Sequence, residues 1–133
     1  MTNEPPSSAD LDVVLGVISE RERRFALYYL RERESTSVRR LADVVGTWLA
    51  VEDGTAPANV EERDRLIEAL RGTHLPALSD VGLLEFDREA DEVTLVPPCG
   101  VVDPLLETTA SLEQATRVPP SAEAAAARNE RTL

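Results

Sequence analysis

Arg21, Arg24, Tyr28 and Arg31 follow one another at spacings of three, four and three. On a helix, at about 100° per residue, that spacing puts three guanidinium groups and a phenol on one face. Fixed positive charges with an aromatic among them are what an anion-binding surface needs. They also suit a plain solvated face on which arginines pair with the intervening glutamates, each such pair contributing only ~0.2–0.5 kcal/mol. Both readings are open at this point. Catalytic chemistry is poorly provided for. His74 is the single histidine and Cys99 the single cysteine, so there is no Ser/His/Asp or Cys/His set and no Cys/His zinc site. There is no phosphate-cradling glycine-rich loop with its lysine, and the carboxylates fall at surface spacings without a marked pair. The chain is therefore read as non-enzymatic, with no metal and no cofactor expected. Cys99, between Pro98 and Gly100, reads as a bystander thiol rather than a redox switch.

Charge is more informative than length. All 14 basic residues are arginine, and 25 carboxylates bring the net charge to −11. The composition looks halophilic: carboxylates hold water and cations where salt is high, and the long apolar stem of lysine is avoided. Compositional bias of a GC-rich genome is the rival explanation. The deficit is uneven, because residues 19–40 set seven arginines against Glu20, Glu22, Glu32 and Glu34 for a local +3, while the other segments are acidic. An acidic chain with a single basic stretch raises the question of which anion that stretch meets. The 133 residues suffice for one domain with tails. No run approaches the ~20 apolar residues of a membrane span, and MTNEPPSSAD has neither a basic start nor an apolar segment. A cytoplasmic protein away from the membrane is expected.

The elements that must position these residues are read from periodicity and caps. Residues 1–9 read as a disordered lead-in. Asp10 caps a short helix with Leu11, Val14, Leu15 and Ile18 on one side. Ser19 and Glu22 have the spacing of a capping box, so a second helix begins there and carries Phe25, Ala26, Leu27, Tyr29 and Leu30 on its apolar arc. Ser35-Thr36-Ser37-Val38 suits a short strand and a cap together. A third helix covers about 38–50, with Val38, Leu41, Ala42, Val45 and Leu49 inside and Trp48 as a packing residue, followed by a loop of roughly eight residues. The fourth helix, about 59–80, gathers Val60, Leu66, Ile67, Leu70, His74, Ala77, Leu78 and Val81 within an arc of about 120°. Pro76 points away from that arc, so a kink of the outer face is expected rather than a break. Gly82 supplies a left-handed stop. Leu84 and Phe86, then Val93 and Leu95, alternate with polar residues across the turn Arg88-Glu89-Ala90-Asp91, which is a hairpin with one apolar face. Asp103-Pro104 starts a helix to about Ala115, and a low-complexity tail covers 117–133.

Helix, helix, short strand, helix, helix, hairpin is the order of a winged helix-turn-helix domain, mainly α with a small β-hairpin, here covering about residues 10–96. His74-Leu75, Leu78 and Val81-Gly82-Leu83, in THLPALSDVGLLEFDREADEVTL, resemble the end of the recognition helix and the wing of ArsR-like winged-helix repressors. Together with SERERRFALYYLRE and VRRLADVVGTWLA, the stretch is similar to a family of small haloarchaeal winged-helix proteins of unassigned biochemical function. The resemblance implies that the fourth helix enters the major groove of double-stranded DNA with the hairpin at the adjacent backbone. On that carry-over Arg65, Arg71 and Thr73 would meet base edges, and Arg21, Arg24, Arg31, Arg39 and Arg40 would position the phosphates. His74 matches the family's histidine but sits in the apolar arc, where a core role is expected.

Two features depart from the pattern. AVEDGTAPA is longer than the usual turn of ~3–4 residues. The wing sets Glu85, Asp87, Glu89, Asp91 and Glu92 against Arg88 alone, so it is not expected to hug phosphates. At ~1 M salt the Debye length is about 3 Å, and a negative net charge does not exclude DNA there. The leading reading is a dimeric DNA-binding transcriptional regulator. The helix in 97–116, through Leu105, Leu106 and Leu112, either forms the homodimer contact or packs back on its own domain. The alternative is a protein-interaction module whose partner meets the acidic wing.

Overall fold

The computed structural model describes residues 8–96 and 102–116. The lead-in before Ser8, residues 97–101 with the lone cysteine, and the tail after Thr116 lie outside the described residues.

Helix α1 (Ser8–Val17) begins two residues ahead of Asp10. Val14 of this helix and Ile18 just beyond it are buried, whereas Leu11, Val13 and Leu15 are exposed, so only part of the expected apolar side is used. Helix α2 (Arg21–Arg33) follows Glu20, and no side chain caps it. The box expected at Ser19 and Glu22 is not formed: the Ser19 hydroxyl donates to the Gly16 carbonyl at 2.8 Å. The connection is so short that Ser19 lies within reach of the unpaired carbonyls that end α1, and it serves those instead. Phe25, Ala26, Leu27 and Leu30 are buried as their spacing requires.

Strand β1 (Ser35–Ser37) leads directly into α3 (Val38–Asp53). Ser37 ends the one and caps the other, its hydroxyl accepting the Arg40 N–H at 3.1 Å. Gly54 closes α3 at φ 67°, a left-handed conformation that costs glycine nothing. Because α3 runs three residues past 50, the connection to the next helix is residues 54–59.

Helix α4 (Val60–Ala69) opens on a complete capping box. Asn59 Oδ1 accepts the Glu62 N–H at 2.8 Å, and Glu62 Oε1 accepts the Asn59 N–H at 2.9 Å. The rod continues without a break through a π-helical turn, Leu70–His74, into α5 (Leu75–Asp80). The Leu75 N–H reaches back five residues to the Leu70 carbonyl. Pro76 has no N–H to give the carbonyl four residues earlier, and a widened turn just before it relieves the crowding of its ring. The extra residue in that turn rotates everything beyond it. Leu75, outside the apolar arc by uniform 100° steps, is fully buried, whereas Val60, inside that arc, is 73% exposed.

Gly82, at φ 80°, ends α5. Its N–H donates to the Ser79 carbonyl at 3.0 Å and the Leu83 N–H to the Leu78 carbonyl at 3.0 Å, the paired bonds that turn a chain out of a helix. Strands β2 (Leu84–Asp87) and β3 (Glu92–Leu95) form the expected hairpin, with Leu84 opposite Leu95 and Phe86 opposite Val93. Strand β1 joins it on the far side of β3, giving a three-stranded antiparallel sheet in the order β1-β3-β2. One core from α1, α2, α3, the α4–α5 rod and the sheet holds Leu27, Leu30, Leu41, Val45, Leu70, Leu78, Leu84 and Val93. Helix α6 (Val102–Thr116) adds Leu106, 2% exposed, to the same core. The fold is a winged helix-turn-helix, mainly α, with α1 and α6 outside the motif. No helix among the described residues is long and apolar enough to cross a membrane.

Candidate nucleic-acid interface

The start of α3, the middle of the α4–α5 rod and the turn of the wing meet at Asp91. Its carbonyl accepts the Val38 N–H at 3.1 Å, which ties the wing to the first residue of α3. Its carboxylate accepts the Arg71 Nε–H at 2.8 Å, which ties the wing to the π-helical turn. Asp91 makes both contacts from a left-handed backbone at φ 57°, a conformation that aspartate and asparagine tolerate better than most residues. The turn is further fixed by Asp87, whose Oδ1 accepts the N–H groups of Glu89 and Ala90, each at 3.0 Å. The three parts of a winged helix that ordinarily face a duplex are thus held in register by one residue.

Around that junction the expected contact residues fall into two groups. Arg39 and Arg40 are exposed in the first turn of α3 and make no ion pair among the described residues. The partial positive charge of that helix end adds to theirs. Arg65 and Thr73 are exposed on the outer face of the rod; Arg65 meets only Glu61, one turn away at 3.8 Å. Arg71, expected at a base edge, is instead held by Asp91. Sequence reasoning had no local signal for that pair, which spans 20 residues. Arg63 is held as well. It bonds Asp43 of α3 and keeps the Asp43 carboxyl below the usual carboxylate range, bracing the rod against α3 at the foot of the interface.

The stripe on α2 has a different neighbourhood. Arg21 donates to both Asp53 oxygens, at 2.7 and 2.9 Å, and also bonds Glu52 at the end of α3. Arg24 donates to Glu113 of α6 at 2.8 Å, and Arg31 lies 2.9 Å from Asp103 of α6. The Tyr28 hydroxyl donates to Glu113 at 2.7 Å and lies 2.8 Å from the Thr109 hydroxyl. Burial pushes the Tyr28 phenol up to about 12, with the Glu113 carboxylate adding to the shift. These four side chains are the seat of α6 and of the end of α3. The acidic residues Asp103 and Glu113, second and twelfth in α6, were the available signal, but their register against α2 was not readable.

On the wing, Glu85, Asp87, Glu89 and Glu92 are exposed and Asp91 is half-buried. Arg88 is exposed with its guanidinium 5.1 Å above the Phe86 ring.

His74 is 7% exposed and its Nδ1 accepts the Arg23 Nε–H at 3.1 Å. Burial holds its pKa below the ordinary imidazole value. Glu20, Glu22 and His74 bring ligand atoms within 4.8 Å of one another. A neutral imidazole has one ring lone pair, and Arg23 already takes it at Nδ1, which assigns the proton to Nε2. The arrangement is that of a hydrogen-bonded cluster, and a metal would have to displace the guanidinium. Arg23 also reaches the Val17 carbonyl at 3.3 Å, so the cluster pins α1 and α2 to the rod.

Fold and junction together define a winged-helix protein with its three potential duplex-facing parts locked in place. The chain belongs to a family described as a domain of unknown function (DUF7344), whose model matches residues 15–94. No curated protein and no solved structure matches it.

Proposed function

We propose that this protein is a DNA-binding transcriptional regulator, non-catalytic, working in the concentrated salt of a halophilic archaeon's cytoplasm. The observation that carries the reading is the junction at Asp91. It sets two unpaired arginines at the start of α3 beside a rod whose outer face presents Arg65 and Thr73. The α4–α5 rod reads the major groove with Arg65 and Thr73. Arg39 and Arg40 take phosphates. Arg71 positions the wing rather than a base. Arg21, Arg24 and Arg31 are committed to carboxylates of their own chain, so the proposal does not lean on them. The resemblance of the rod and wing to ArsR-like repressors supports the same assignment. Leu106 is buried in its own domain while Leu112 is 57% exposed, so a homodimer through α6 would use the outer side of that helix.

The phosphate assignment is tested by a KCl series of binding to duplex DNA. Each phosphate contact contributes about 0.9 to the slope of log K against log salt. An Arg39→Ala/Arg40→Ala variant is expected to lower the slope by about 1.8. An unchanged slope would remove both residues from the interface.

The exposed carboxylates of the wing favour a second reading, a protein-interaction module that meets its partner through Glu85, Asp87, Glu89 and Glu92. Charge reversal there would abolish partner capture and leave the arginine variants indifferent.

A further inference from the structure

A cavity of about 470 Å³ lies between α2, α3 and α6, within the ~300–1,000 Å³ usual for small-molecule sites. Three aromatic side chains line it, Phe25, Tyr28 and Trp48, together with the carboxylates of Glu32, Glu52 and Glu113. The rings do not stack. Phe25 and Trp48 stand at 86° with centroids 5.8 Å apart, and Phe25 and Tyr28 at 41° with centroids 6.2 Å apart. A flat aromatic ligand needs parallel walls, whereas walls set at angles surround a compact, rounded group. Trp48 and Tyr28 are half-buried, so each ring is neither sealed in the core nor free of it.

Charge decides which compact group fits. The one guanidinium on the wall, Arg31, is paired with Asp103 at 2.9 Å, leaving an anion no unpaired partner. Glu32 makes no ion pair among the described residues, and Arg21 bonds Glu52 through Oε1. Glu52 is bonded by Arg21, and Glu113 by Arg24 and Tyr28, so Glu32 is the carboxylate on the wall whose charge no arginine among the described residues offsets. Aromatic faces attract cations, and an alkylated ammonium suits them best, since it has a thin charge, a greasy surface and few or no N–H groups to satisfy. A potassium ion, by contrast, holds its water and gains little from a ring.

We propose that this cavity binds a small organic cation with an alkylated ammonium head, seated against Trp48, Tyr28 and Phe25 and neutralised by Glu32. Glu113 and Ala110 belong to α6, so the bound cation fastens α6 to α2 and α3. The site stands whether or not the protein reads DNA.

Trp48 is the single tryptophan, and its fluorescence therefore reports this cavity alone. The full chain is titrated with tetramethylammonium chloride in KCl at constant total chloride. Tert-butyl alcohol, similar in shape and uncharged, is run in parallel. A saturable change with tetramethylammonium and none with the alcohol is expected, and Glu32→Gln weakens binding by about tenfold, the factor set by ~1.4 kcal/mol. Glu32 is exposed, so that variant keeps the fold, and Glu52→Gln, at a carboxylate already held by Arg21, weakens binding less. No saturable change, an equal response to the alcohol, or wild-type affinity in both variants would overturn the proposal.

Discussion

His74 shows how one residue serves the core and remains sensitive to protons. Its Nδ1 accepts from Arg23, and burial lowers its pKa from the ordinary 6.5. The unfolded chain therefore binds a proton at a higher pH than the folded one. The stability contributed by neutral His74 is fully present above the unfolded value and is lost as pH falls through the folded value. Melting temperatures measured from about pH 7 to pH 5 are expected to fall, and His74→Gln flattens that fall. A variant that follows the wild-type curve would assign the loss to other groups. The same residue marks the reach of sequence reading. Helical spacing was enough to place His74 inside, but its partner Arg23 is 51 residues away. For the arginines the limit is sharper. Arg39, Arg40, Arg65 and Thr73 were singled out through the family resemblance, and all four are exposed. That Arg71 is held by Asp91, and that Arg24 and Arg31 are held by α6, depends on which elements touch, and no local pattern carries that.

Among the elements, the order of helices and strands and the hairpin register were legible, because period and turn chemistry agree along most of the chain. The failures have local physical causes. Ser19 had two sets of unpaired backbone groups within reach and took the carbonyls. The π-helical turn broke the uniform step on which the apolar arc was drawn. That turn supplies a test of register. Leu75→Ala removes a fully buried side chain and is expected to cost about 2–5 kcal/mol. Val60→Ala, at a position 73% exposed, is expected to stay within about 0.5 kcal/mol of wild type. Urea unfolding distinguishes them. A larger cost for Val60→Ala than for Leu75→Ala would mean that the rod continues as an unmodified α-helix in solution. The placement of Pro76 behind the wide turn also explains why a proline in the α4–α5 rod does not break it.

For the whole molecule, the net charge of −11 on 133 residues is the governing quantity. Self-repulsion of that size opposes the compact state and is screened as salt rises. The ion pairs Arg21–Asp53, Arg63–Asp43 and Arg31–Asp103 are at least partly exposed, and pairs of that kind contribute about 0–1 kcal/mol, so their screening does not offset the gain. The melting temperature is expected to rise as KCl is raised toward about 1 M. A melting temperature that falls throughout the series would show that the ion pairs outweigh the repulsion. High salt also weakens the counterion gain in DNA binding, so any affinity must rest on direct contacts. The central claim is tested most directly by presenting sheared genomic DNA to the full chain in molar KCl and sequencing the retained fragments. An Arg65→Ala/Thr73→Ala variant runs beside it, because both positions are exposed and their loss leaves the core intact. A shared short sequence retained by the wild type and lost by the variant is the predicted result. No enrichment by folded wild-type protein, or the same enrichment by both, would contradict the assignment of the α4–α5 rod as a reader of DNA.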